Sequence, residues 1–123
     1  MELVSENPIG PGLADFHCLV RIEGAKLLLT PSGDMDFAAL ATLTAVRALI
    51  DPYTSAVHVE LGGVPFMDSS GINFLTSLQD DCGRRGIALE VAGLRSQPRQ
   101  LLMFIGDRLY ALCARGCDDQ VYR

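Results

Sequence analysis

Apolar and polar residues alternate along Cys18-Leu19-Val20-Arg21-Ile22-Glu23, Gly24-Ala25 interrupts, and Lys26-Leu27-Leu28-Leu29-Thr30 resumes an apolar run. A period of two broken by a short glycine-containing step predicts two strands paired as an antiparallel hairpin. Pro31-Ser32-Gly33 stops the second strand, and Asp34 or Asp36 can cap the next helix. From Phe37 to Ile50 the period lengthens. Leu40, Leu43, Val46 and Ile50 recur at helical spacing, with Thr42, Thr44 and Arg47 nearer the other side, and Asp51-Pro52 closes the amphipathic helix this predicts. Ala56 to Leu61 and Ile87 to Val91 return to alternation and read as strands. Between them Ile72, Leu75, Leu78 and Cys82 line one helical side, opposite Asn73, Thr76, Ser77, Asp80 and Arg84. Gly83 weakens the end of that helix, and Gly86 is a fitting stop. Ser96-Gln97-Pro98 opens a third helix with Leu101, Leu102, Phe104 and Ile105 as its apolar contacts and Gly106 as its end. Leu109 to Cys113 is expected to form a final edge strand.

His58, Glu60 and Glu90 interrupt the two later strands, and this bears on the architecture. Central strands of a doubly wound sheet are buried on both faces and read as nearly continuous apolar runs. Strands laid down in sequential order, joined by right-handed crossovers, instead receive all their helices on one face and leave the other open to such side chains. The expected fold is therefore α/β: a mixed sheet of four to five strands with helices mainly on one face.

A chain of 123 residues, 49% of them hydrophobic, can bury one substantial core and is short for two. Residues 16–114 are expected to form the domain, with loose tails at 1–15 and 115–123. The net charge is −5, and ten basic residues are scattered without a run. Nucleic-acid binding calls for a basic stripe, so a protein partner is expected instead. Met1 to Asp15 has no apolar run of the kind a signal peptide or anchor needs. No apolar run in the chain, Leu101 to Ile105 included, approaches the roughly 20 residues of a membrane span. A cytoplasmic protein with no membrane partner is expected.

The candidate chemistry gathers at Val64-Pro65-Phe66-Met67-Asp68-Ser69-Ser70-Gly71-Ile72, where a strand pattern gives way to a helical one. A helix start leaves backbone N–H groups unpartnered and carries partial positive charge, so it favours anions. The plainest role for Asp68, Ser69 or Ser70 there is the N-cap. An enzyme is not expected. Asp34-Met35-Asp36 has the Asp-x-Asp spacing of a haloacid-dehalogenase-type nucleophile, but Ser69 is not in a Gly-x-Ser-x-Gly elbow, and His17 and His58 do not suggest a dedicated base. Cys18, Cys82, Cys113 and Cys117 read as small hydrophobes rather than disulfides. Cys113 and Cys117 lack zinc-ribbon spacing, so no metal and no cofactor are expected.

Phe66-Met67-Asp68-Ser69-Ser70-Gly71-Ile72, with Gly33-Asp34-Met35-Asp36 one βα unit upstream, resembles the STAS domain of bacterial anti-sigma factor antagonists, from about Cys18 to about Cys113. In that family Gly-Glu-Leu-Asp or a variant comes after the second strand, and Met-Asp-Ser-Ser/Thr-Gly opens the second helix. The resemblance implies an unphosphorylated protein that binds an anti-sigma factor, itself an ATP-binding serine kinase, and so frees a sigma factor until phosphorylation ends the binding. Carried over, the phosphorylated residue is Ser69. Asp68 and Asp36 would orient its hydroxyl, Asp34 would contact the partner in place of the family's usual Glu, and Ser70 and Gly71 complete the partner-binding set. A serine phosphatase is a further candidate partner. Two alternatives stand beside this: an unswitched STAS scaffold in a larger signalling or lipid-transport assembly, and an antagonist with redox control through Cys82, Cys113 or Cys117.

Overall fold

The computed structural model describes residues 6–9 and 16–105. Five strands form one sheet in sequential order: β1 (Glu6–Ile9), β2 (His17–Glu23), β3 (Lys26–Ser32), β4 (Ala56–Glu60) and β5 (Ala88–Ala92). Pairing is antiparallel from β1 to β2 and from β2 to β3, and parallel from β3 to β4 and from β4 to β5. Gly24, with a φ of 61°, takes the first position of the two-residue turn between β2 and β3, where a hairpin turn matched to strand twist needs positive φ.

The helices are α1 (Leu40–Arg47), entered through a 3-10 turn over Phe37–Ala39, α2 (Ser69–Arg85) and α3 (Ser96–Ile105). They cover one face of the sheet. Cys18, Val20, Leu27, Leu29, Val57, Val59 and Val91 point into a single core with Leu43, Val46, Leu75, Leu78, Cys82 and Leu102. Each large aliphatic side chain buried there is worth roughly 1.5–3 kcal/mol against exposure to water. Arg21, Thr30, His58, Glu60 and Glu90 occupy the alternate strand positions and stay partly or fully exposed. On that open face His58 Nδ1 lies 2.9 Å from Glu90 Oε1. The polar interruptions in the strands thus mark the uncovered side, as the sequential order requires.

Several details depart from the sequence pattern. Residues 6–9 fall in the segment expected to be a loose tail, yet they pair with β2 through Glu6↔Arg21 to Ile9↔Cys18. Glu-Asn-Pro-Ile has no alternation to announce a strand. Backbone pairing along the free edge of β2 supplies what the side chains do not, and an edge is where a strand tolerates proline. The first helix regularises only at Leu40, and its last turn tightens through Leu49 N–H to Val46 O and Ile50 N–H to Arg47 O. Thr42, assigned to the polar side, is buried. Of the apolar contacts expected from α3, Leu102 is fully buried, whereas Phe104 is 89% exposed. The expected strand at Leu109 to Cys113 and the tail at 115–123 lie outside the described residues, as does the helix stop at Gly106.

Gly86 ends α2 as expected. It sits at φ 71°, and the N–H of buried Ile87 returns 2.9 Å to the Cys82 carbonyl, which closes the helix and turns the chain into β5.

Candidate functional site

Because β3 and β4 are parallel, the loops that leave them emerge at the same end of the sheet. The pairing continues past the strands in two isolated bridges, Ser32↔Gly63 and Met35↔Met67. Gly33 N–H donates to Gly63 O at 2.9 Å, Met35 N–H to Phe66 O at 2.9 Å, and Asp68 N–H to Met35 O at 3.3 Å. Gly63 makes the approach possible, since a Cβ there would lie 2.8 Å from Ser32 Oγ and 2.9 Å from Pro31 O. Gly33, at φ 104°, turns the first loop in a conformation that other residues rarely adopt.

Two segments far apart in sequence are thereby laid side by side. Met35 and Met67 are buried, so their neighbours Asp34, Asp36, Phe66 and Asp68 flank them on the rim. Asp34 and Phe66 are exposed, and Asp36 and Asp68 are half-buried. Gly71 completes the arrangement from below. A Cβ at that position would stand 2.8 Å from Met67 Cγ and 3.1 Å from Met35 Sδ, so the first turn of α2 can rest on both methionines only because residue 71 has no side chain.

Asp68 is the N-cap of α2: its Oδ1 accepts from Ser70 N–H at 2.7 Å. Asp36 does the same for the 3-10 turn, accepting from Ala38 N–H at 3.0 Å. Among the described residues neither carboxylate hydrogen-bonds to the Ser69 hydroxyl; each instead fixes the start of its own helix. Ser69 is the first residue of α2 and is exposed, while Ser70 is half-buried. Residues 30–46 and 61–83 contain no lysine or arginine, so the paired loops and the turns they open carry Asp34, Asp36 and Asp68 without a basic side chain of their own.

Beside these polar groups lies apolar surface. Phe37 is 76% exposed, Phe66 and Leu40 are also exposed, and a shallow groove of about 110 Å³ runs between α1 and α2, lined by Leu40, Leu43, Ser70, Asn73 and Phe74. Exposed aromatic and aliphatic groups around a polar centre suit a protein partner. Arg47 at the far part of the groove is committed elsewhere. It clamps α1 to α2 through Nη2 to Asp81 Oδ2 at 2.7 Å, and Asp81 also accepts from Arg84 at 2.6 Å. The Arg47 guanidinium, with help from Arg84, holds the Asp81 carboxyl below the usual carboxylate range.

One residue at the site escaped the sequence pattern. Gln97, in the first turn of α3, accepts from Met67 N–H through Oε1 at 2.8 Å and donates to Met67 O through Nε2 at 2.9 Å. Nothing in the spacing of Ser96-Gln97-Pro98 signals that role, because it exists only once α3 packs beside the loop.

The other candidate chemistry lies elsewhere. His17 and His58 belong to β2 and β4, on positions that alternate with the buried ones. Among the described residues no cluster of three or more His, Cys, Asp or Glu is arranged to hold a metal ion, and no helix is long and apolar enough to cross a membrane. Cys18 and Cys82 are buried free thiols; burial pushes Cys18 up to about 12 and raises Cys82 as well, which disfavours the reactive thiolate. Cys113 and Cys117 lie outside the described residues.

Comparison with known proteins agrees with this geometry. No curated protein matches the sequence. Among solved structures, a sulfate transporter family protein from Wolinella succinogenes is similar at a TM-score of 0.64 and 22% identity, over 76% of this chain and 75% of that one. The anti-sigma factor antagonist SpoIIAA in its unphosphorylated form gives 0.60 at 14% identity, over 85% and 97%. An anti-sigma factor antagonist from Mycobacterium paratuberculosis gives 0.59 at 19% identity, over 76% and 80%. These likenesses show a shared fold. The fold also occurs within longer chains: this one spans 18% of the Mglu crystal structure that it matches over 58% of its own length. The family model described as "Mlab, STAS domain" matches residues 18–107, most of the sheet and all three helices, and the chain therefore belongs to the STAS domain family.

Proposed function

We propose that the protein is an anti-sigma factor antagonist, a non-enzymatic cytoplasmic binding module whose partner is an ATP-binding anti-sigma factor and serine kinase. The observation that carries this reading is the presentation of Ser69, exposed at the first position of a 17-residue helix and held on two loops that are hydrogen-bonded to each other. Unphosphorylated, the rim of Asp34, Asp36, Asp68, Ser69 and Ser70, with Phe37, Leu40 and Phe66 beside it, docks the partner and releases the sigma factor. Phosphorylation adds roughly −1.5 to −2 charge at neutral pH to a rim that already holds three carboxylates. Burying that charge against an acidic or desolvated partner surface is costly, so the complex separates while the domain stays folded. A serine phosphatase resets the cycle, and this chain itself brings no metal or cofactor to it.

The test is phosphate transfer from labelled ATP by purified anti-sigma factors of the same cell. Wild type and Ser70→Ala accept phosphate, and Ser69→Ala does not. Undiminished labelling of Ser69→Ala, or no labelling of wild type by any of these kinases, would sink the proposal.

A second reading has its own support. The similarity to a sulfate transporter family protein, and the use of Asp36 and Asp68 as caps rather than as partners of the Ser69 hydroxyl, favour an unswitched STAS scaffold within a larger assembly. In that case the same rim docks a partner permanently, and wild type co-purifies with the assembly without ever being phosphorylated.

A further inference from the structure

Phe66-Met67-Asp68 is held from two sides. On one side the backbone of Met35 takes up Phe66 O and Asp68 N–H. In an extended segment the N–H and C=O of the middle residue point the opposite way, and here both groups of Met67 meet the carboxamide of Gln97, at 2.8 and 2.9 Å. A primary amide presents a donor and an acceptor side by side, as a neighbouring strand would. Gln97 therefore stands in for a strand on the outer edge of the loop. Asp68, the cap that fixes the start of α2, is the next residue, and Ser69 comes directly after it. Gln97 is half-buried, and its Oε1 and Nε2 are both engaged by this one residue.

We infer that Gln97 is a positioning residue for the acceptor loop: its carboxamide holds Phe66 to Ser70 in the single conformation that presents Ser69. This deepens the antagonist reading and rests on it for its kinase arm. Its physical content, that the order of the loop depends on a side chain of α3 more than the stability of the domain does, is open to independent measurement. A glutamate at the position sharpens the test. An ionised carboxylate accepts from Met67 N–H but repels Met67 O, whereas a protonated carboxyl offers one donor and one acceptor and reproduces both bonds.

The experiment uses the full chain as wild type, Gln97→Ala and Gln97→Glu. Amide hydrogen exchange of residues 66–71 is tracked across pH 7 to 4.5, each variant taken as a ratio to wild type at the same pH, alongside thermal unfolding and phosphate transfer from ATP. Loss of the two hydrogen bonds is expected to speed exchange in this segment roughly tenfold in Gln97→Ala. Exchange in the strands should stay at the wild-type rate, and kcat/KM for phosphate transfer should fall by a similar factor. Gln97→Glu should match Gln97→Ala at pH 7 and return toward wild-type exchange as pH falls into the carboxyl range of about 4 to 5. Unchanged exchange at 66–71, exchange that rises equally throughout the domain, or Gln97→Glu indifferent to pH would each overturn the inference. So would wild-type phosphate transfer in Gln97→Ala despite a loosened loop. If wild type itself accepts no phosphate, the antagonist reading fails, and hydrogen exchange alone decides whether Gln97 holds the loop.

Discussion

Met35-Asp36-Phe37-Ala38-Ala39 and Met67-Asp68-Ser69-Ser70-Gly71 begin two helices in the same way and finish differently. In both the methionine is buried and the aspartate stands in extended backbone, at φ −120° and −116°, with its carboxylate on the N–H two residues ahead. The first residue after each cap is exposed, and there the two part: one offers a phenyl ring, the other a hydroxyl. They differ again at the third residue. Ala39 fills its space and the chain makes a 3-10 turn before an eight-residue helix, whereas Gly71 leaves room for both methionines and α2 runs 17 residues at once. Cap chemistry is common to the two sites. What singles out the second is a hydroxyl placed on a first turn that is seated on the core and braced by Gln97.

The comparison breaks most sharply at the exposed position. Ser69→Glu is expected to weaken partner binding by at least an order of magnitude, since it places a permanent charge where the proposed interface buries a hydroxyl, while the melting temperature moves by only a few degrees. Ser69→Ala should keep binding and lose phosphate acceptance. Calorimetric titration with the partner, with circular dichroism for the fold, separates these outcomes, and tight binding by Ser69→Glu would contradict the switch.

At the third position, Gly71→Ala should cost about 1–3 kcal/mol in urea unfolding, because the new methyl group meets Met67 Cγ at 2.8 Å inside a packed core. Helix propensity alone argues for a gain of about 1 kcal/mol, so the sign of the change tells which effect wins. Ala39→Gly should lose about 1–2 kcal/mol, the propensity difference of about 1 kcal/mol plus the loss of one buried methyl group.

Removing the caps tests how much each helix depends on its start. Asp68→Ala should lose about 1–2 kcal/mol and Asp36→Ala about 0.5 kcal/mol, within the usual span for N-caps. The order reflects what each cap supports: α2 buries Ile72, Phe74, Leu75, Leu78 and Cys82, and the 3-10 turn buries Ala39. Equal losses would mean that packing of α2 is insensitive to its first turn.

The smallest effect lies where the two helices are tied together. The Asp81 carboxyl is held low by Arg47 first and Arg84 second. A group whose folded pKa is depressed adds stability that is fully present above its unfolded value of about 3.9 and is lost as pH falls through the folded value. Wild type should therefore exceed Asp81→Asn by no more than about 1 kcal/mol at pH 7, given the partial exposure of both partners, and the gap should close below about pH 4. A gap that widens on acidification would reverse the assignment.

Much of this molecule is written in local patterns. The periods of two and of about 3.6, punctuated by Gly24, Pro52 and Gly86, located four of the strands and the three helices, because side-chain direction along a strand or helix is a property of the backbone itself. His58, Glu60 and Glu90 disclosed the uncovered face, since polar and charged side chains stay where water reaches them. A cap at Asp68, Ser69 or Ser70 is also legible from nearest neighbours, whereas the choice of Asp68 as the cap and the exposure of Ser69 behind it were decided by the structure. Contacts between distant segments left no such trace. β1 exists because β2 has a free edge, Thr42 is buried by the elements packed around α1, and Phe104 is exposed because Leu102 already points into the core. The pairing of Met35 with Met67, the demand for glycine at 71 and the grip of Gln97 on Met67 arise only when parallel strands bring their loops to one end and α3 closes beside them. Those are long-range contacts, and a pattern read within a short window carries no information about which distant residue will fill the space it leaves.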